Sequence, residues 1–285
     1  MSLIAQAKYL SKIYQARPNK GLSQNFLIAE NIYEKIITAA ELTAEDYVLE
    51  IGSGWGFLTG HLLAGTKKVL AVEADVRLAK YLQQSAELSN KERLLICSQD
   101  ILRLKNEEIT QKLELPLGQP YKIVANLPYH ITSAVIEKFL AYQPKPQLMV
   151  LLVQKEVAQR LCAKPRSSAG EGMSILSVAT QFYAEPEIID YVKASCFWPE
   201  PKVDSAIVRL KVKRASPQVD EKKFFHLVKV GFSARRKQLH NNLAAGWKID
   251  STQTKAWLTA AGLAPTVRPQ DLAVADWLEL FKQTN

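Results

Sequence analysis

Over the first half of the chain, short apolar runs alternate with segments whose apolar positions recur every three or four residues. The runs at 47–51, 68–73, 93–97, 121–125 and 148–153 are too short for helices, and the last is apolar throughout. They predict strands, 148–153 being of the kind buried on both faces. Between them, 29–42, 58–64, 76–88 and 131–140 carry helical spacing. Strands alternating with helices predict an α/β domain on a parallel sheet. The pattern then changes: 188–192 and 206–212 alternate across a proline-rich turn, which predicts antiparallel strands at one edge. From Asp220 onward only helical patterning remains, at 224–232, 237–245, 252–261 and 275–281. Arg214-Ala-Ser-Pro-Gln218 is the natural linker, so domains are expected at 1–214 and 215–285.

Composition narrows the class. With 285 residues, 47% hydrophobic and 23% charged, the chain is globular, neither disordered nor a disulfide-dense miniprotein. No apolar run approaches the roughly 20 residues of a membrane span, and Lys8 and Lys12 interrupt any signal-peptide core. Cys97, Cys162 and Cys196 form no CxxC pair, and the four histidines show no ligand spacing. A reduced, cytoplasmic protein without a metal is the expectation. The net charge of +9 is unevenly spread: residues 201–250 hold twelve basic and four acidic residues, and residues 1–29 hold four basic residues and no acid. Two basic segments flanking a slightly acidic body suit a polyanionic partner.

Candidate chemistry lies where strands end. Glu50-Ile-Gly52-Ser-Gly54-Trp-Gly56 follows one strand and opens a helix, and Glu73 closes the next. The GxGxG spacing departs from that of dinucleotide binders, while a carboxylate at Glu73 can accept from both hydroxyls of a ribose. S-adenosylmethionine, which has ribose hydroxyls and no pyrophosphate, fits this better than a nicotinamide cofactor. Asp100, past the third strand, is a candidate acceptor for an adenine amino group, or equally a helix cap.

Asn126-Leu127-Pro128-Tyr129 follows the fourth strand. Exocyclic amines of bases are poor nucleophiles because the lone pair is delocalised into the ring. The Asn126 side-chain oxygen and the Leu127 carbonyl can hold the two N–H hydrogens of such an amine. Pro128 keeps Leu127 extended, and Tyr129 offers a face for stacking. Phe197, opening the proline-rich loop to Ser205, is either a second aromatic wall or plain core.

Gln24-Asn25-Phe26-Leu27, Val48-Leu-Glu-Ile-Gly52-Ser-Gly54-Trp-Gly56, Asn126 to Tyr129, Phe197-x-Pro-x-Pro-Lys-Val-Asp-Ser205 and Phe232-Ser-Ala-Arg-Arg-Lys237 occur in this order. Together they resemble the ribosomal RNA adenine N6,N6-dimethyltransferase family, in the branch acting on small-subunit (16S) RNA. The resemblance runs from about Lys20 to Leu243. It implies a Rossmann-like S-adenosylmethionine-dependent methyltransferase domain with a basic N-terminal arm, and a small all-helical RNA-binding domain. It implies two adjacent adenosines near the 3′ end of small-subunit RNA as acceptors, in an immature subunit, and a monomeric enzyme. It also implies that Asn25 and Leu27 pack over the donor and Gly52 lies under it. Glu73 would hold the ribose and Asp100 the donor adenine, with Asn126 beside both donor and target amine. Tyr129 and Phe197 would sandwich the target base, and Arg235, Arg236 and Lys237 would bind RNA. Ser23, Ser53 and His240 depart from the residues usual in that family; at His240 a permanent charge would be lost from the RNA-facing helix. Three other readings are a large-subunit RNA dimethyltransferase of the resistance type, a DNA adenine methyltransferase, and a mainly non-catalytic assembly factor.

Overall fold

The computed structural model describes residues 1–22, 24–85, 92–166, 172–215, 217–234 and 236–284, with the Lys20 side chain excepted. Two compact units divide the chain: Met1–Ala158 with Ala184–Arg214, and Gln159–Tyr183 with Ala215–Asn285.

The first unit opens with α1 (Leu3–Ile13), then β1 (Phe26–Leu27), α2 (Glu30–Ala40), β2 (Tyr47–Ile51) and α3 (Phe57–Gly65). It continues through β3 (Lys68–Val72), α4 (Val76–Gln84), β4 (Leu94–Cys97), α5 (Asn106–Lys112), β5 (Tyr121–Asn126) and α6 (Thr132–Ala141). The strand β6 (Leu148–Gln154) leads into α7 (Lys155–Leu161). After the second unit's α8 (Ile175–Tyr183), the chain returns through β7 (Ala184–Val192), β8 (Phe197–Trp198) and β9 (Ser205–Val212). A seven-stranded sheet has the order β4-β3-β2-β5-β6-β9-β7. Its first five strands are parallel, and β9 and β7 are antiparallel. The strands β2 and β5 are buried along nearly their whole length, so both faces are covered. The sequence reading of a parallel core with an antiparallel edge agrees with this architecture. Because β3 lies on one side of β2 and β5 on the other, the strand order reverses between β2 and β5. Open α/β sheets bind ligands at such a switch point, outside the strands' carboxyl ends.

The basic N-terminal arm contains an element the hydrophobic pattern did not announce. The Ser2 hydroxyl caps α1 by accepting from the Ala5 N–H at 3.4 Å. Ala7 and Leu10 are buried. Tyr14 packs edge-on to Tyr81 at 5.0 Å and lies 6.4 Å from Trp55. The guanidinium of Arg77 donates to the Gln15 carbonyl at 3.2 Å.

The second unit adds α9 (Glu221–Gly231), α10 (Leu239–Trp247), α11 (Ser251–Ala260) and α12 (Val274–Gln283). The boundary near residue 214 was expected, but the whole of 1–214 does not form one unit. Residues 159–183 join the helical unit, because the apolar face of α8 finds its cover there. Phe182 stacks on Phe224 at 4.9 Å, and the Tyr183 hydroxyl donates to Glu221 at 2.6 Å. Periodicity reveals that a face is apolar and not which distant segment covers it.

Candidate active site

The end of β2 runs into the glycine turn. The Gly52 N–H donates to the Val72 carbonyl of β3 at 2.8 Å, and Gly52 has φ +76°. A Cβ there would stand 3.5 Å from the Asn126 carbonyl oxygen and 3.5 Å from Pro128 Cδ. That spacing is ordinary contact, so it is the positive φ that calls for glycine, in a turn lying against the Asn126–Tyr129 segment. Glu73, one residue beyond β3, faces the same turn. Its Oε2 accepts from the Gly54 N–H at 2.8 Å and its Oε1 from the Asp75 N–H at 2.9 Å. Burial pushes this carboxyl up from its ordinary value, and the two N–H donors oppose that rise. Each carboxylate oxygen keeps a lone pair for a further donor.

Glu50 lies within β2, two residues before Gly52. The Thr59 hydroxyl donates to its Oε2 at 2.6 Å, and its Oε1 is buried without a hydrogen-bond partner among the described residues. Burial pushes Glu50 up to about 8, with Glu73 adding to the rise, so the carboxyl is largely protonated at neutral pH.

Asn126 closes β5. Its Nδ2 donates to the Asn25 carbonyl at 3.1 Å. A carbonyl only accepts, which fixes the amide's orientation and leaves Oδ1 as the acceptor end. The Tyr129 hydroxyl hydrogen-bonds the Ser205 hydroxyl at 2.8 Å, and burial raises its pKa. Ser205 is fully buried at the start of β9. It closes the loop that Phe197 opens, so one bond ties that loop to the tetrapeptide. Sequence reasoning assigned Ser205 no role; its place at the end of the Phe197-to-Ser205 motif was the available signal.

A cavity of about 250 Å³ gathers Asn25, Gly52, Glu73, Asp100 and the Asn126-to-Tyr129 segment on its wall. Asp100 lines this cavity, and its Oδ1 accepts from the Leu102 N–H at 3.0 Å within a turn. Leu27 is not on the wall. It is buried in β1, pairing with Phe197 of β8. Phe197 is 3% exposed in the hydrophobic core, so its ring forms no wall of this cavity. Of the two readings of Phe197, second aromatic wall or plain core, its burial here matches the second. Trp198 and Pro199 instead line a larger open groove of about 1370 Å³ beyond the cavity. Gln24, Asn25 and Tyr129 belong to the walls of both, and so form the threshold between them. Gln24 is held there by its 3.2 Å bond to Asp75.

In the second unit, Arg236 and Lys237 are exposed in the turn before α10, not on the helix expected from residue 237. Arg235 lies outside the described residues, as does Ser23. His240 is buried, its ring nitrogens 3.1 Å from the Ser251 hydroxyl and 2.9 Å from Gln238 Oε1. Burial and Lys255 hold its pKa below the ordinary value. In this chain His240 is a packing residue. Among the described residues no group of three or more His, Cys, Asp or Glu is placed to hold a metal, and no helix is long and apolar enough to cross a membrane.

Residues 15–285 match the family model described as ribosomal RNA adenine dimethylase. The chain is 40% identical over 280 residues to a ribosomal RNA small subunit methyltransferase A from Dehalococcoides mccartyi, covering 97% of this chain and 91% of that protein. A protein of the same name from Rippkaea orientalis is 41% identical over 270 residues, covering 92% and 96%. Among solved structures, a dimethyladenosine transferase from Plasmodium falciparum superposes with a TM-score of 0.72 at 28% identity, covering 90% of this chain and 95% of that one. The 23S rRNA methyltransferase ErmE gives 0.70 at 28% identity, covering 91% and 99%. The fold is that of S-adenosylmethionine-dependent methyltransferases, as the sequence reading expected.

Proposed function

The chain belongs to the ribosomal RNA adenine dimethylase family, and on that premise we propose that it methylates N6 of two adjacent adenosines near the 3′ end of small-subunit ribosomal RNA. The observation that carries this reading is the contact of the glycine turn with Asn126 and Pro128 at the switch point. It puts a ribose-competent carboxylate, Glu73, and an amine-competent acceptor, Asn126, on one cavity wall.

The residues fit S-adenosylmethionine. The glycine cradle leaves open what a Cβ would fill, and Glu73 retains acceptor capacity toward two hydroxyls. When bound, the donor supplies an activated methyl group. Asp100 accepts from the donor's adenine amino group. Asn126 Oδ1 and the Leu127 carbonyl accept the two N–H bonds of the target amine, which favours a pyramidal nitrogen and frees its lone pair. Tyr129, fixed by Ser205, stacks on the target base at a gain of roughly 1–3 kcal/mol. Positioning supplies much of the acceleration, and the alkylated amine is acidic enough to lose its proton to water. Action in the cytoplasm, on immature subunits and as a monomer is part of the same proposal. In the second unit, Arg236 and Lys237, with Arg235, contribute RNA contacts.

The test is mass spectrometry of small-subunit and large-subunit RNA after incubation with labelled donor. Dimethylation of two adjacent adenosines in small-subunit RNA is expected, and loss of roughly a hundredfold or more in rate for Asn126→Ala. Methyl transfer only to large-subunit RNA, or none at all, overturns the reading.

A further inference from the structure

Resting on that reading, we propose that α1, with Arg17 and Lys202, forms the grip on the phosphates of the RNA strand that delivers the target adenosine. The outer groove exceeds the roughly 300–1,000 Å³ of small-molecule clefts, and it opens onto Tyr129 and Asn25 at the cavity's threshold. Among the described residues its wall carries Lys8, Lys12, Arg17, Arg77 and Lys202 against Glu200 as the one acid.

What sets these cations apart is their common place on one groove wall, since lysines elsewhere such as Lys80, Lys193 and Lys229 are also exposed and in no ion pair with a described residue. Lys35, Lys67, Lys68 and Arg209 are spent in ion pairs with Asp190, Glu45, Glu114, and Glu41 and Glu187. Arg77 is likewise committed, to Asp75 at 2.7 Å and to the Gln15 carbonyl. Lys8, Lys12, Arg17 and Lys202 are exposed and make no ion pair with any described residue. Lys8 and Lys12, four apart, stand on one helical face about 6 Å apart along the axis. The opposite face, with Ala7 and Leu10, is buried, and Tyr14 is wedged against Trp55 and Tyr81. The arm is therefore a docked element whose uncompensated charge faces the groove. Trp55, which anchors it, belongs to the glycine turn itself. A docked helix has its backbone already ordered when its cations meet phosphates, and each contact releases condensed counterions.

The test measures RNA affinity against salt concentration in the presence of the demethylated donor product, using the full chain and a single-stranded fragment of small-subunit RNA. A triple variant, Lys8→Ala with Lys12→Ala and Arg17→Ala, is expected to flatten the salt slope by about 2, at roughly 0.7 per phosphate contact. That corresponds to roughly 50-fold weaker binding at 0.15 M salt. KM for RNA rises in proportion, while donor affinity and kcat at saturating RNA hold. Lys202→Ala is expected to flatten the slope by about 0.7. The control removes the same formal charge from ion-paired positions, as Lys35→Ala, Lys67→Ala and Lys68→Ala together. An unchanged slope in the arm variant, or an equal flattening in the control, overturns the proposal. Wild-type protein that binds with the predicted slope and yet transfers no methyl overturns the enzyme reading instead.

Discussion

Replacing Gly52 by alanine is expected to cripple donor binding at a stability cost no larger than the same change at Gly118. Both residues adopt left-handed backbone, with φ +76° and +78°. An L-residue there costs about 1–2 kcal/mol, which lowers Tm by roughly 2–4 °C per kcal/mol in a protein of this size. What differs is the surroundings. A Cβ at Gly118 meets nothing within 4 Å, whereas one at Gly52 stands 3.5 Å from both the Asn126 carbonyl oxygen and Pro128 Cδ. That distance is ordinary contact, so it adds no clash to the folding cost. The methyl group nevertheless fills the cradle between the glycine turn and the catalytic segment. Overpacking of about 1–3 kcal/mol against a bound donor converts to a roughly 5- to 150-fold rise in its Kd. Thermal melts of the two variants should nearly coincide, while donor titration by calorimetry and methyl transfer separate them. If Gly52→Ala binds donor within about twofold of Gly118→Ala, the cradle is not the donor site and the reasoning fails.

Tyr129→Phe keeps the ring and loses the 2.8 Å bond to Ser205. A stability loss of about 1 kcal/mol with most methylation retained is expected, whereas Tyr129→Ala should cost about 1–3 kcal/mol of base binding, seen in KM for RNA; equal KM values for the two variants would remove the ring from the pocket. Glu50 is raised from 4.5 to about 8 in the fold, so between those values the native state holds a proton that the unfolded chain releases, and stability falls as pH rises through that window. Glu50→Gln should therefore lose less Tm than wild type between about pH 5 and pH 8, and parallel declines would refute the protonated assignment. Lys122 Nζ donates to Asp46 Oδ2 at 2.8 Å and to the Glu41 carbonyl at 2.6 Å, nearly out of solvent. Lys122→Ala takes away the cation paired with Asp46, leaving the Thr43 N–H and hydroxyl as its donors, and should cost about 3–5 kcal/mol in urea denaturation; a loss below about 1 kcal/mol would show that those donors and water compensate the carboxylate.

The amino-acid sequence by itself determined the strands of the parallel core and the strand-end motifs. A central parallel strand is buried on both faces and so reads as a continuous apolar run, and a turn against a ligand needs glycine whatever surrounds it. Gly52, Glu73, Asp100 and Asn126 were legible for that reason, each lying just past or at the end of such a run. Only the tertiary structure decided what meets what. It buried Phe197 against Leu27, turned His240 inward, and joined Tyr129 to Ser205 across 76 positions of sequence. It gave residues 159–183 to the helical unit, and it made the basic arm a packed helix whose lysines stay unpaired while Arg209 is neutralised by Glu41, 168 positions away. The pattern of a chain states which surfaces must be covered and which charges must be met. The covering and the meeting are long-range events, fixed when the sheet order and the loops bring distant segments together.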